Sequence, residues 1–297
     1  MEPIKNPIKH DSAELILNPD GSVYHLHLKP EELADTVLLV GDPGRVPMVS
    51  AYFDALEVQK EHREFITHTG RLGGQRISVI STGIGTDNID IVLNELDALV
   101  NIDLQTHQVK SKHHRLNLIR IGTSGALQAD LDVDSCIVSA YGLGLDSLLH
   151  FYQTQTRPDT EKILGEINRQ FNLPFLTPYL FAADSALLNL FSTFPSGITV
   201  TGNGFYGPQG RTLRASARYP DLLDRLTAIQ LSNTRITNFE METAAIYGLA
   251  ALLGHRALSV NAIIANRIQN RFSSNPGKTV LNTIEEVIRL LPGLSKM

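Results

Sequence analysis

Thr36-Val37-Leu38-Leu39-Val40-Gly41-Asp42-Pro43-Gly44-Arg45 is an apolar run that stops in a glycine- and proline-bent turn, with an arginine just beyond. A continuous apolar run, rather than an alternating one, suits a strand buried on both faces, and such strands belong to parallel sheets covered by helices. The same order recurs in Leu118-Ile119-Arg120-Ile121, which stops at Gly122-Thr123-Ser124-Gly125, and in the apolar run from Ala257 to Ala265, which ends at Asn266-Arg267. Ser135–Ala140 and Gly197–Thr201 read as further strands, while Phe65–Leu72 and Arg76–Ser81 alternate around Gly73-Gly74 as a hairpin does. Asp87 to Val100 sets Ile91, Leu93, Leu96 and Leu99 at helical spacing, with Asp87 as the cap. Helical patterns also cover 159–171, 183–193, Met241 to Leu253 and Thr279 to Leu291, whereas the polar, Lys- and His-rich stretch from Gln105 to Arg115 reads as an exposed loop. Strands that alternate with helices predict an α/β fold with a mostly parallel sheet covered on both faces. No linker or repeat divides the chain, so residues 23–297 are expected to form one domain, preceded by a polar arm, 1–22, that is ordered only where it docks.

The chain has 297 residues, 42% of them apolar and 19% charged, which supplies a sizeable core and argues against disorder. A net charge of −5 argues against a general nucleic-acid binder, though it leaves room for a local basic pocket. The single cysteine, Cys136, excludes an intrachain disulfide, and its apolar neighbours Ile137 and Val138 mark it as a buried structural thiol. Met1-Glu2-Pro3-Ile4-Lys5-Asn6-Pro7 has no apolar signal core and no run reaches membrane-spanning length, so a soluble, cytoplasmic protein is expected. The histidines lack metal-ligand spacing, no cofactor motif is apparent, and no Ser–His–Asp or paired-carboxylate hydrolase pattern appears. If the chain is an enzyme, its nucleophile arrives with the substrates.

Four clusters carry the chemistry. Gly41 to Arg45 and Arg120 to Gly125 each set an arginine beside a glycine turn, where backbone N–H groups, hydroxyls and a guanidinium converge on an anion. Arg120 lies inside an apolar strand and needs a partner, either a bound anion or a buried Asp or Glu. Phe205-Tyr206-Gly207-Pro208-Gln209-Gly210-Arg211 puts a stacking face, an amide and a cationic fork on one tight loop, which suits a flat heterocycle. Glu240-Met241-Glu242 opens a helical pattern, where the acids serve either the helix dipole or neighbouring sugar hydroxyls. His62-Arg63-Glu64 reads alone as a solvated edge. Val23 to Leu28 alternates like a strand, with Tyr24 on the face opposite His25 and His27.

Taken in order, these segments, with Ser81-Thr82-Gly83-Ile84-Gly85 and Gly125-Ala126, resemble the nucleoside phosphorylase-I family, and within it the uridine phosphorylase branch, from about Val23 to Arg267. The resemblance implies one α/β domain with a central mixed, partly barrel-like sheet flanked by helices. It implies a pentosyltransferase that needs no cofactor and converts a nucleoside and inorganic phosphate into free base and ribose 1-phosphate. Carried over by position, Gly41, Arg45, Arg120 and Thr123 correspond to the phosphate site, and Arg63 to a phosphate-contacting arginine lent by a neighbouring subunit. His25, also lent across a dimer, corresponds to the ribose 5′-hydroxyl contact, with Met241 and Glu242 as ribose floor and 2′/3′-hydroxyl acceptor. Phe205, Gln209 and Arg211 correspond to the uracil pocket, supported by Arg267, and Arg120, Gln209 and Arg211 carry the catalytic charge stabilisation. The implied assembly is a homo-oligomer built from dimers into a hexamer.

This sequence departs from the family at Thr86-Asp87-Asn88, where the best-known bacterial uridine enzymes carry a different tail, which leaves open a cation site between subunits at Glu64. The helix from Ala245 to Ala250 resembles the purine branch, so a purine nucleoside phosphorylase stays an alternative. Purine members place an Asp after an apolar strand, and the matching Ile263-Ile264-Ala265-Asn266-Arg267 carries no acid. A nucleosidase has no use for Arg45, Arg63 and Arg120 together. A non-catalytic nucleoside-binding protein is the alternative from another class.

Overall fold

The computed structural model describes residues 9–155, 157–171 and 173–296. The apolar run Thr36–Val40 is a strand (β1) with Val37 to Val40 fully buried, and it leads through the expected turn into a short helix, Arg45–Ser50 (α1). Ala55–His62 (β2), Phe65–Leu72 (β3) and Gln75–Ser81 (β4) form an antiparallel meander. Gly73 and Gly74 supply the two positive φ angles, 55° and 81°, of the tight turn between β3 and β4. A long helix, Thr86–Asn101 (α2), a small hairpin of Ile102–Asp103 (β5) and Gln108–Val109 (β6), and the strand Asn117–Ala126 (β7) complete the first half. The second half runs Cys136–Gly144 (β8), Pro158–Gln170 (α3), Tyr179–Ala182 (β9), Ser185–Leu190 (α4) and Ser196–Thr201 (β10). It continues with Leu222–Thr227 (α5), Ile236–Glu240 (β11), Thr243–Leu253 (α6), Arg256–Asn266 (β12), Arg271–Phe272 (β13) and Pro276–Leu290 (α7).

One mixed sheet organises the chain, in the order β13-β12-β8-β10-β11-β7-β1-β4-β3-β2, with β9 added at β8. It closes on itself, because β12 pairs in parallel with β7 along nearly its whole length, Arg256 opposite Asn117 through Asn266 opposite Ala126. The ring β7-β12-β8-β10-β11 is thus a five-stranded barrel inside a single α/β domain. β7 also pairs in parallel with β1, so the barrel and the open wing share one strand. The main core packs α2, through Ile89, Val92, Leu93, Leu96 and Leu99, and α6, buried almost all round, against the sheet. A second core lies under α3 and α5 around Leu143, Ile198 and Phe239. Among the described residues, no helix is long and apolar enough to cross a membrane.

Several local expectations are corrected. Val23 to Leu28 is a turn rather than an alternating strand: Val23 N–H donates to Leu28 O at 3.0 Å and His27 N–H to Val23 O at 3.1 Å. The Glu95 carboxylate on α2 draws the turn in by accepting the backbone N–H groups of His25 and Leu26, and His27 adopts φ 53°. α2 is capped by Gly85, at φ 96°, and not by Asp87. Glu240 ends β11 rather than opening α6, and residues 105–115 contain β6 of the small hairpin, not loop alone. Part of the arm docks, for His10 N–H donates to His107 O at 2.9 Å, while residues 1–8 lie outside the described ones.

Candidate active site

The carboxyl ends of β1, β4, β11 and β12 and the second half of β7 surround a cavity of about 970 Å³. Strand ends are where α/β sheets leave crevices for ligands. At one end, Gly41 and Arg45 face Arg120 and Thr123. Arg45 begins α1 right after the turn that Asp42 stabilises by accepting the Gly44 N–H at 2.9 Å. Burial and the nearby Arg120 pull its guanidinium below the usual arginine range, only partly offset by Asp42 and Glu242. Among the described residues it makes no side-chain hydrogen bond, so this largely buried cation lacks an anion of its own.

Arg120 has partners. It is 5% exposed, and its Nη2 donates to Glu242 Oε2 in a short contact and lies 3.2 Å from Glu240 Oε2, while Nη1 donates to Asn261 Oδ1 at 2.9 Å. Of the two readings the sequence left open, the buried ion pair is therefore present. Topology brings it about: Asn238 opposite Ala126 and Phe239 opposite Gly125 run antiparallel, so the chain continues back along β7 and delivers Glu240 and Glu242 to Arg120. Gly122 makes room, since a Cβ there would stand 1.6 Å from Arg120 Nη1. Glu242 Oε1 also accepts the Gly85 N–H at 2.7 Å, at the amino end of α2 where the helix field favours an anion. Two carboxylates face one guanidinium. Burial and Glu240 push the Glu242 carboxyl above its ordinary range, against the pull of Arg120 and Gly85. For Arg120, burial alone would depress the guanidinium, but Glu240 and Glu242 outweigh it and hold the proton more firmly.

At the other end, the Phe205 loop closes in a single turn of tight helix, Gly207–Gln209, with Gly210 left-handed at φ 68°. Arg211 Nη1 donates to Gln209 Oε1 at 2.6 Å and to Phe205 O at 2.7 Å, and its guanidinium stacks 3.8 Å from the Phe205 ring centroid. Phe205 stays 51% exposed, whereas Gln209 is buried at 3%. Arg267 donates to Gln209 O at 3.3 Å, and its buried Nη1 has no hydrogen-bond partner among the described residues. Burial and Arg267 draw Arg211 down to about 10. This end of the cavity holds two guanidiniums and an amide, arranged to donate.

Nine of the eleven expected site residues line this cavity; His25 and Arg63 do not. They lie together elsewhere: Arg63, at φ 55° between β2 and β3, sits 6.0 Å from the Tyr24 ring, which packs edge-on against His25 at 4.9 Å. His25 Nδ1 pairs with Glu95 Oε1 at 2.6 Å. Cys136 does not line the cavity and is half-buried rather than fully buried as expected; the burial it has pushes its thiol up to about 12. Residues the sequence reading did not assign include Glu240, the Gly85 N–H and Asn261. Ser259 and Asn261, two polar residues of like parity in the apolar run 257–265, were the available signal.

The chain belongs to the phosphorylase superfamily, whose family profile matches residues 35–290. The motif resemblance is thereby borne out. The chain is 33% identical over 286 residues to a uridine phosphorylase of Thermococcus kodakarensis, covering 95% of this chain and 91% of that one. It is 31% identical over 237 residues to a DeoD-type purine nucleoside phosphorylase of Listeria monocytogenes, covering 80% and 84%. Its fold superposes with a TM-score of 0.84 on a Trypanosoma brucei nucleoside phosphorylase described as showing uridine phosphorylase activity, at 29% identity over 93% of this chain and 98% of that one.

Proposed function

We propose that this protein is a uridine phosphorylase, a pentosyltransferase that converts uridine and inorganic phosphate into uracil and ribose 1-phosphate. The observation that carries the reading is the polarity of one cavity: Arg45, which has no side-chain hydrogen bond among the described residues, near Arg120, Glu242 paired to Arg120, and Gln209 with Arg211 and Arg267 on the Phe205 loop. Phosphate would take Gly41, Arg45, Arg120 and Thr123, the ribose would lie on Met241 with its 2′- and 3′-hydroxyls on Glu242, and the base would stack on Phe205. As the glycosidic bond breaks, positive charge grows on the ribose while the departing uracil takes the bonding electrons onto its carbonyl oxygens. A phosphate oxygen then bonds to C1′, and Gln209 and Arg211 stabilise the base anion until it takes a proton.

A purine leaving group wants a proton donor at N7, and the residue at the matching place, Asn266, is spent on structure. Its Nδ2 donates to Gln128 O and Leu131 O, both at 2.9 Å, and its Oδ1 accepts Ile268 N–H and Gln269 N–H. That favours the pyrimidine reading over the one that the Listeria relative suggests. His25 and Arg63 belong in this proposal as contributions to a neighbour's cavity, in a dimer that repeats into a hexamer and works in the cytoplasm. The deciding experiment follows a nucleoside panel with and without phosphate. Uridine should be cleaved only with phosphate and should yield ribose 1-phosphate; equal turnover without phosphate, or a preference for inosine or adenosine, refutes the assignment.

A further inference from the structure

Small β-barrels ordinarily fill their interiors with packed side chains, most economically apolar ones. This one carries a polar chain instead. Arginine only donates, so Asn261, which receives Arg120 Nη1 at 2.9 Å, must present its Oδ1 to it. Its Nδ2 therefore faces away and donates to Ser139 Oγ at 3.0 Å and Ser259 Oγ at 3.2 Å. Beyond Ser139 comes Thr199 Oγ1 at 2.5 Å, and Thr199 gives its hydrogen to Asn238 Oδ1 at 2.8 Å, so Ser139 must be the donor to Thr199. Asn238 Nδ2 then donates to Ser124 Oγ at 2.9 Å. All these side chains are buried, and the chain starts and ends on β7, at Arg120 and Ser124, both of which line the cavity. The links to Asn261 and Ser139 take their direction from the guanidinium, and the later ones from Asn238, whose Oδ1 accepts both Thr199 Oγ1 and Thr237 Oγ1, the latter at 2.9 Å. Ser124 accepts at the far end, and among the described residues its own hydrogen has no acceptor.

We propose that the barrel interior is a directed hydrogen-bond relay in which Asn261 is a positioning residue for Arg120 and Ser124 is left as a donor to an oxygen of bound substrate. The proposal rests on the phosphorylase reading. Asn261 fixes the plane of the guanidinium from behind, which leaves its remaining N–H edge for phosphate and Glu242. Ser124 then offers its hydrogen to an acceptor oxygen in the cavity, either of phosphate or of the base.

The test uses Asn261→Asp, Asn261→Ser and Ser124→Ala in the full chain, with KM measured separately for phosphate and uridine, and with melting temperature. Asn261→Ser, which withdraws the charged hydrogen bond, should raise the phosphate KM by roughly tenfold and leave the uridine KM unchanged. Asn261→Asp keeps an acceptor for Arg120 but turns Ser139 toward itself and adds a third carboxylate, so it should weaken phosphate as well and cut off the relay. Ser124→Ala should raise one of the two KM values, and which one identifies the oxygen. The double variant Asn261→Asp/Ser124→Ala should be no worse in that KM than Asn261→Asp alone. A folded Asn261 variant with unchanged phosphate KM overturns the positioning role, and additive effects in the double variant overturn the relay. If neither Asn261 variant folds, Ser124→Ala decides alone, and unchanged KM values for both substrates refute the proposal. A wild-type protein inactive with uridine and phosphate would instead refute the underlying reading.

Discussion

Arg45→Met is the sharpest separation of function from stability that the cavity offers. The methionine keeps the aliphatic stem and removes a guanidinium that is largely buried, depressed by burial and by Arg120, and bonded to no side chain among the described residues. Burying a polar group without a partner costs about 1–3 kcal/mol, and partial contact with Asp42 and Glu242 reduces that, so the substitution should return about 1 kcal/mol. For a chain of this size that is an increase of about 2–4 °C in melting temperature in phosphate-free buffer. In the complex the sign reverses. A charge-assisted hydrogen bond to phosphate contributes about 1.5–3 kcal/mol, so its loss should raise the phosphate KM by about 10- to 150-fold. Thermal melting with and without phosphate, together with steady-state kinetics at saturating uridine, reads both quantities. A variant that melts lower than wild type and keeps its phosphate KM would show that Arg45 is a structural residue, and the anion site would have to be abandoned.

Arg211→Ala removes the proposed donor to the departing base and should lower kcat/KM for uridine by about 10²- to 10³-fold with the phosphate KM unchanged, as steady-state kinetics would show. Glu242, the proposed acceptor of the ribose hydroxyls, accepts with both oxygens and most strongly when ionised, and its carboxyl is held above the ordinary 4.5, so activity should fall on acidification at a higher pH than a free glutamate dictates. Because the folded-state pKa is the raised one, the same group favours folding at acid pH and loses that contribution as pH rises through its folded value; Glu242→Gln should flatten both profiles. Subunits inactivated by Arg63→Ala and by Arg120→Ala should regain part of the activity when dissociated and reassociated together, and verified mixed dimers without recovery would count against cross-subunit sites.

How much of this was legible in the sequence follows from what hydrophobic pattern reports. It registers burial, so β1, β12 and the helix faces of α2 and α6 stood out near their observed limits. It does not register partners. β7 pairs with β1, β12 and β11 in turn, and nothing local in its residues announces that third edge or the barrel it closes. β11 is wholly buried, yet Ile236-Thr237-Asn238-Phe239-Glu240 looks polar because its inward side chains serve the network in the barrel. The His25 turn was misread for a related reason, since Glu95, 70 residues away, sets its backbone. Most of the expected site residues do come together around one cavity, because turn glycines and arginines at strand ends are legible locally. Only their mutual pairing, Arg120 with Glu242, needed the fold.

The contrast between the two arginines beside glycine turns leads to a further expectation about how the substrates bind. Arg45 has no side-chain hydrogen bond among the described residues, while Arg120 is shared with the carboxylate proposed to hold the ribose. Phosphate that draws on Arg120 competes with Glu242 for the same Nη2, and thereby releases Glu242 Oε2 to accept a ribose hydroxyl. The Gly85 N–H keeps the other oxygen in place during the exchange. Each substrate thus lowers the cost of binding the other, and linkage requires the effect to be equal in both directions. Couplings of this kind run to about 1–3 kcal/mol, or about 5- to 150-fold. Initial rates over a grid of both concentrations should show the uridine KM falling as phosphate rises, and Glu242→Gln, which weakens the shared contact, should reduce that dependence. Lines that intersect on the axis in the wild type, meaning a uridine KM independent of phosphate, would show that the pair does not exchange partners and that Arg120 serves Glu242 alone.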